Sequence, residues 1–183
     1  MQTYKNEVVF DIETTGLNPW LGDQITCICA KEIHSPKTFC VSNRSQWEII
    51  SQFLRWLRQF SPSETVLVTA NGKQFDVPFI CSRLSLELLS AQNLVYFAEF
   101  NPLHLLCYNH FDVLNDITDK TISLNNLCRI LNIPPKDQDG KGAIKLFSEN
   151  KFEELEKYCF HDVDITATAY LRYRQLKDRN WNY

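Results

Sequence analysis

The sequence has no surplus of positive charge. Its 19 lysine and arginine residues are outnumbered by 22 aspartate and glutamate residues, which gives a net charge of -3. Because binding through bulk charge requires many cations against phosphates, this balance argues against a protein that holds nucleic acid mainly in that way. An enzyme whose bound metal ions supply the positive charge remains compatible with it. No apolar run approaches the ~20 residues needed to span a bilayer, so no membrane partner is expected.

Recognisable cysteine motifs are also missing. The seven cysteines are odd in number and irregularly spaced, and neither Cys27 with Cys29 nor Cys81 with Cys107 has CxxC spacing. We therefore predict no structural zinc site. Since the N-terminus lacks the apolar core of a signal peptide, we expect reduced thiols and a cytoplasmic location.

The composition that is present fits one packed domain. The chain has 183 residues, of which 44% are hydrophobic and 13% aromatic. It contains no repeat, low-complexity tract or linker, so residues 1–183 are predicted to form a single domain.

The stretch from residue 8 to 17, VVFDIETTGL, is typical of a buried strand that ends on two carboxylates. Side chains alternate across a strand, so Asp11 and Glu13 share one face while Phe10 and Ile12 occupy the other. Two like charges on one face repel unless a cation lies between them. The pair therefore indicates a hard divalent metal, although the same sequence pattern also occurs at strand ends that are exposed to solvent.

Hydrophobic periodicity predicts the rest of the fold. Strands are expected near 25–30, 37–41 and 65–70, and helices near 45–60, 77–89, 123–131 and 152–177. Segment 93–116 gives no clear pattern beyond a possible short strand at 94–97 and helix at 103–107, and 136–142 is typical of a loop. The order of elements predicts an α/β fold with helices packed on a mixed sheet.

Two further acidic positions follow this pattern. Asp76 stands after an interior strand and at the start of a helix, which is where ligands bind in open α/β sheets, although an aspartate at such a position, taken alone, is more typical of a plain helix N-cap. Asp162 lies one turn after Tyr158 on the last helix and has no cation three or four residues away. Asp164 lies about 200 degrees around that helix from Asp162 and is expected at the surface.

These segments, FDIET at 10–14, NGKQFD at 71–76 and YCFHD at 158–162, resemble the three Exo motifs of DEDD-type 3′-5′ exonucleases. The resemblance is closest to the proofreading exonuclease domain of family B DNA polymerases. It spans residues 8 to about 170 and implies a ribonuclease H-like α/β fold, with a three-strand antiparallel meander joined to parallel strands. Tyr158 matches the tyrosine subclass (DEDDy), whereas the histidine subclass would have its histidine at the position of Lys157.

The resemblance implies a site that uses two Mg²⁺ or Mn²⁺ ions. Asp11 would bridge both ions. Glu13 and Asp162 would complete the coordination of one ion, and Asp76 would hold the other through water. Tyr158 would orient the attacking water. The implied catalytic residues are thus Asp11, Glu13, Asp76, Tyr158 and Asp162.

The same resemblance implies contacts to a nucleic-acid substrate. Leu17 would wedge against the terminal base, and Asn71 and Phe75 would touch the last nucleotides, although Phe75 is equally compatible with a core position. The expected activity is release of 5′-mononucleotides from the 3′ end of single-stranded or frayed DNA. Two alternatives stay open: an exoribonuclease of the tyrosine type, to which ribonuclease D belongs, and a nucleic-acid-binding module that keeps the fold without the chemistry.

Overall fold

A five-stranded mixed sheet forms the centre of the computed structural model, which describes residues 4–90, 96, 99–119, 122–134 and 141–178. The strands are β1 (Asn6–Thr14), β2 (Ile25–Glu32), β3 (Thr38–Ser42), β4 (Thr65–Thr69) and β5 (Asn109–Asp112). The helices are α1 (Gln46–Leu57), α2 (Asp76–Leu89), α3 (Asn115–Thr118), α4 (Leu124–Ile130), α5 (Lys141–Ser148) and α6 (Phe152–Asp178). No helix within the described ranges is both long and apolar enough to cross a membrane.

The strand order is β3-β2-β1-β4-β5. The first three strands form an antiparallel meander, and β4 and β5 extend it in parallel with β1. This confirms the predicted mixed sheet with an antiparallel meander and parallel strands. Because β1, β4 and β5 run the same way, their carboxyl ends lie at one edge of the sheet.

The two faces of the sheet bury separate apolar cores. Phe10 and Ile12 pack on the face covered by α1 and α2, whereas Val9 packs on the face covered by α6. The predicted alternation along β1 is therefore confirmed, and Asp11 and Glu13 fall on the α6 side with Val9. Ser45 accepts a hydrogen bond from the Glu48 amide and so caps α1 as its sequence predicts.

The prediction was incomplete between residues 93 and 116. Strand β5 was missed there, and a short 3-10 helix, His104–Cys107, occupies the segment predicted as a helix. The sequence of β5, NHFD, has no β-branched residue, so its extended shape depends on pairing with β4 rather than on local preference. The possible strand at 94–97 lies almost entirely outside the described residues.

The loop predicted at 136–142 is wrong at its end, because α5 already begins at Lys141. The other residues of that segment, 136–140, lie outside the described part of the chain. A glycine at position 142 lowers the helix preference of this turn, but Ala143 and Phe147 pack one turn apart in the second core and favour the helix.

The expectation that all cysteines are reduced is wrong for one pair. Cys29 and Cys40 form a disulfide between β2 and β3. They are directly opposite in the strand register, with their Cα atoms 4.2 Å apart, so their side chains meet. Sequence spacing cannot reveal this, because it depends on which residues the register places opposite each other.

A core truncation far from the carboxylates tests this packing. Phe53 on α1 is fully buried against Phe10 and Phe39, so Phe53→Ala is expected to lower the free energy of unfolding by about 3–5 kcal/mol. Leu89→Ala, at a position that is 69% exposed, is the control and should change it by less than about 0.5 kcal/mol. Urea denaturation of both variants measures the difference, and equal effects would contradict this core.

Candidate active site

The acidic end of β1 meets the last helix. Helix α6 packs across β1 and β2, and the Cys159 thiol lies 3.4 Å from the Asp11 carbonyl oxygen and 3.7 Å from Asp11 Oδ2. Ligand atoms of Asp11, Glu13 and Cys159 all lie within 4.8 Å of one another. The first and third motifs, which are about 150 residues apart in sequence, are therefore in direct contact.

The second motif is joined to the first by a hydrogen bond. Asp76 Oδ1 accepts from the backbone N–H of Ile12 at 3.2 Å, and Ile12 lies between Asp11 and Glu13. Asp76 is the first residue of α2, but Phe75 is the N-cap and no side chain caps the helix. The plain N-cap interpretation of Asp76 is thus wrong, because its carboxylate is directed at β1.

The pKa of Asp76 depends on its burial and on the carboxylates near it. Burial raises its pKa to about 7 from 3.8, although the hydrogen bond from Ile12 acts in the opposite direction. The negative charges of Asp112 and Asp162 raise the pKa further. Asp162, which is itself buried, therefore lies near enough to Asp76 for its charge to raise the pKa of that carboxyl group.

Helix α6 separates its two aspartates as predicted. Asp164 forms an ion pair with Lys31, Nζ to Oδ1 at 2.5 Å, and its side chain is half-exposed. His161 is exposed as well. Tyr158 is partly buried against the second core, one turn before Asp162.

Asp112 organises the loop that leads to Asp76, and the sequence did not single it out. It is fully buried, and its carboxylate accepts backbone hydrogen bonds from Asn71, Lys73, Leu114 and Asn115 at 2.9–3.2 Å. Burial alone would raise its pKa, but these hydrogen bonds together hold the pKa below its ordinary value. The position of Asp112 at the end of a strand that pairs with β4 could have indicated its role, but β5 was not predicted from the sequence.

The loop that Asp112 holds has an unusual backbone. Asn71 is left-handed, with φ at 72°. At Gly72 a Cβ atom would lie 2.4 Å from the Thr69 hydroxyl, so only glycine fits there. The tight turn connects the end of β4 at Thr69 to the start of α2 at Asp76, whose carboxylate contacts β1.

The three residues predicted to contact substrate differ in exposure. Leu17 is 82% exposed in the loop after β1. Asn71 has a buried Oδ1 atom with no hydrogen-bond partner among the described residues. Phe75 is partly buried and packs against Phe79 with ring centroids 5.3 Å apart, so the structure places it at the border of the first core.

The donor set fits a hard divalent cation. Its members are mostly carboxylates, which are the ligands that Mg²⁺ and Mn²⁺ prefer. Burial is the main cause of the raised pKa of Asp76, and the negative charges of Asp112 and Asp162 raise it further by repelling the charged form of this carboxyl group. A divalent cation among them would remove that repulsion.

The pKa of Asp76 predicts a pH dependence of stability in chelator. Because the folded pKa is raised, the stability that this group contributes is complete below about pH 4 and is lost as the pH rises through about 7. We expect the melting temperature of the wild type to fall relative to that of Asp76→Asn between about pH 5 and about pH 8. Parallel pH profiles of the two proteins by scanning calorimetry would contradict the assigned environment.

Comparison with known proteins places this geometry in a family. The family model described as a predicted 3′-5′ exonuclease related to the exonuclease domain of PolB matches residues 24–180. No curated protein matches the sequence. Among solved structures, the family B DNA polymerase from the hyperthermophilic archaeon Pyrobaculum calidifontis is similar, with a TM-score of 0.69 and 17% identity.

That similarity covers 93% of this chain and 24% of the polymerase, so the chain spans about a quarter of the protein it resembles. The shared architecture confirms the ribonuclease H-like α/β fold. The family match begins after the β1 carboxylates and includes the second and third motifs. The chain belongs to the family of predicted 3′-5′ exonucleases related to the exonuclease domain of PolB.

Proposed function

We propose that this chain is a metal-dependent exonuclease that removes 5′-mononucleotides from the 3′ end of single-stranded or frayed DNA, working as a single domain over residues 1–183 in the cytoplasm. The observation that supports the proposal is the hydrogen bond from the Ile12 amide, between Asp11 and Glu13, to Asp76, whose pKa the charge of Asp162 also raises. A protein that only binds nucleic acid does not require several acidic side chains close together. All the acidic residues and the tyrosine that the chemistry requires are present.

Hydrolysis of a phosphodiester requires a hydroxide to attack a phosphorus already surrounded by negatively charged oxygens, and an alkoxide then leaves. Two divalent ions about 4 Å apart stabilise both the attacking and the leaving oxygen in such sites. Asp11 would contact both Mg²⁺ or Mn²⁺ ions, since it lies centrally against α6. Glu13 and Asp162 would complete the coordination of one ion, and Asp76 would hold the other ion through water.

Tyr158 would orient the attacking water by a hydrogen bond. It lies one turn before Asp162 on α6 and is partly exposed, so its hydroxyl can reach a water beside that carboxylate. Its role is positional, because a phenol with a pKa near 10 is a poor base at neutral pH.

Substrate contacts would depend on bases more than on bulk charge. Beside the β1 carboxylates, the loop after β1 exposes three large apolar side chains, Leu17, Trp20 and Leu21. Trp20 would stack on an unpaired base and the two leucines would pack against neighbouring bases, contacts that do not depend on the net charge of -3. Leu17 would act as the wedge at the terminal base, and Asn71 and Phe75 would contact the last nucleotides.

The activity is tested on oligonucleotides labelled at the 5′ end. We expect Mg²⁺- or Mn²⁺-dependent shortening from the 3′ end, loss of activity with chelator, and at least a 100-fold loss in Asp11→Ala. Asp162→Asn should lose activity similarly, whereas Asp164→Asn, on the same helix but paired with Lys31, should stay within about threefold of wild type.

Three outcomes of this assay would contradict the proposal. Faster degradation of a matched RNA would identify the exoribonuclease alternative. Strand binding that persists in chelator without cleavage under any metal would identify a binding module. Equal loss in Asp162→Asn and Asp164→Asn would remove Asp162 from the site.

Asp112 is expected to act on the reaction only as a positioning residue. Asp112→Asn replaces one oxygen that accepts backbone N–H groups with a donor, which disturbs the loop at Asn71 and Lys73. We predict a fall in kcat of about tenfold or more with KM changed by less than about threefold, since geometry at Asp76 is lost rather than substrate contact. Unchanged kcat in a folded variant would contradict this role.

A further inference from the structure

A row of cysteines runs beside the β1 carboxylates on the α6 side of the sheet. In the strand register Asp11 is opposite Cys29, Glu13 is opposite Cys27, and Cys29 is in turn opposite Cys40. Residues directly opposite each other point to the same face. Oxygen donors on β1 are therefore followed, one and two strands further along, by sulfur donors.

The three sulfur atoms form a compact group. Cys27 Sγ lies 3.7 Å from Cys29 Sγ, and the sulfurs of Cys27, Cys29 and Cys40 all lie within 4.8 Å of one another. In a tetrahedral zinc thiolate with bonds of about 2.3 Å, neighbouring sulfurs are about 3.8 Å apart. The Cys27 to Cys29 distance already equals such an edge.

We propose that Cys27, Cys29 and Cys40 bind one Zn²⁺ ion when the Cys29–Cys40 disulfide is reduced. Reduction by a dithiol converts the disulfide to two thiols and the dithiol to its own disulfide. Binding then forms three zinc–sulfur bonds and releases three protons to solvent. The same sulfurs thus have two states, a disulfide with one free thiol and a zinc thiolate.

Access from solvent and a fourth ligand are both available at Cys40. Cys27 and Cys29 are buried, whereas Cys40 is partly exposed and lines a groove of about 510 Å³ beside α6. The groove also contains Glu156, Lys157 and His161. A water molecule from this groove can complete the tetrahedral zinc coordination.

The three cysteines and the carboxylates differ in the metal ions that they favour. Soft thiolates select Zn²⁺, while carboxylates and water suit Mg²⁺ and Mn²⁺. Cys159 lies between the two groups, since its thiol contacts both Asp11 and Cys27. This group of three cysteines could not be predicted from sequence spacing, because Cys40 lies beside Cys29 only through the register of β2 and β3.

The test uses Co²⁺ as a spectroscopic probe for zinc. The full-length protein is reduced with a phosphine, freed of reductant under anaerobic conditions, and titrated with Co²⁺. We expect thiolate-to-cobalt charge-transfer absorption that saturates at one equivalent and is bleached by Zn²⁺. Cys27→Ser and Cys40→Ser should lose this band, whereas Cys107→Ser, at an exposed free cysteine, should keep it.

Two variants and one chemical readout separate this proposal from the nuclease assignment. Asp11→Asn and Asp162→Asn should keep the thiolate band, even where they abolish nuclease activity. In the reduced wild type, Zn²⁺ should slow alkylation of Cys40 by at least about tenfold, measured by mass spectrometry.

A reduced, folded wild type that shows no charge-transfer band would overturn the proposal, as would unchanged alkylation of Cys40 with Zn²⁺. A band that disappears in Asp11→Asn but persists in Cys40→Ser would also overturn it. None of these results depends on whether the chain cleaves nucleic acid.

Discussion

Burial of acidic side chains next to the carboxyl end of β1 is the constraint on which this structure depends. Asp11 and Glu13 lie beside Cys159 of α6, Asp76 accepts a hydrogen bond from the backbone between them, and the charge of Asp162 acts on Asp76. The hydrogen bond from the Ile12 amide holds Asp76 against β1, although the pocket raises the pKa of Asp76 to about 7. A divalent cation bound among these carboxylates would offset their repulsion and would stabilise the folded chain.

The sheet topology explains how these groups meet. Parallel pairing of β1, β4 and β5 places the ends of the strands side by side, and ligand sites in α/β sheets lie at such ends. From β5, Asp112 fixes the turn after β4 and thereby the start of α2. Helix α6 crosses the same edge and supplies Asp162 and Tyr158. Backbone hydrogen bonds and core packing therefore hold these elements, together with the ion pair of Lys31 with Asp164 on α6.

Much of this could be predicted from the sequence because the signals were local. The alternation along β1 assigned Asp11 and Glu13 to one face, and helical geometry separated Asp162 from Asp164, which the ion pair with Lys31 confirms. The interior character of β4 and the capping signal at Ser45 were local as well. Each of these inferences needed only the few residues around the position concerned.

The remainder depended on pairing between distant segments. Strand β5 owes its shape to β4, so Asp112 could not be recognised as the residue that anchors the second motif. The Cys29–Cys40 disulfide and the neighbouring Cys27 thiol follow from the register of β2 against β3, which spacing along the chain does not encode. The N-cap interpretation of Asp76 failed for a similar reason, because its partner, Ile12, lies 64 residues earlier in the sequence.

The central claim is that carboxylates from β1, α2 and α6 form one site for divalent cations. Thermal unfolding in the presence and absence of millimolar Mn²⁺ tests it most directly, since a ligand that binds only the folded chain raises its melting temperature. The account predicts a rise for wild type and Asp164→Asn and a much smaller rise for Asp162→Asn. A wild-type melting temperature that Mn²⁺ leaves unchanged, or an equal rise in all three proteins, would contradict it.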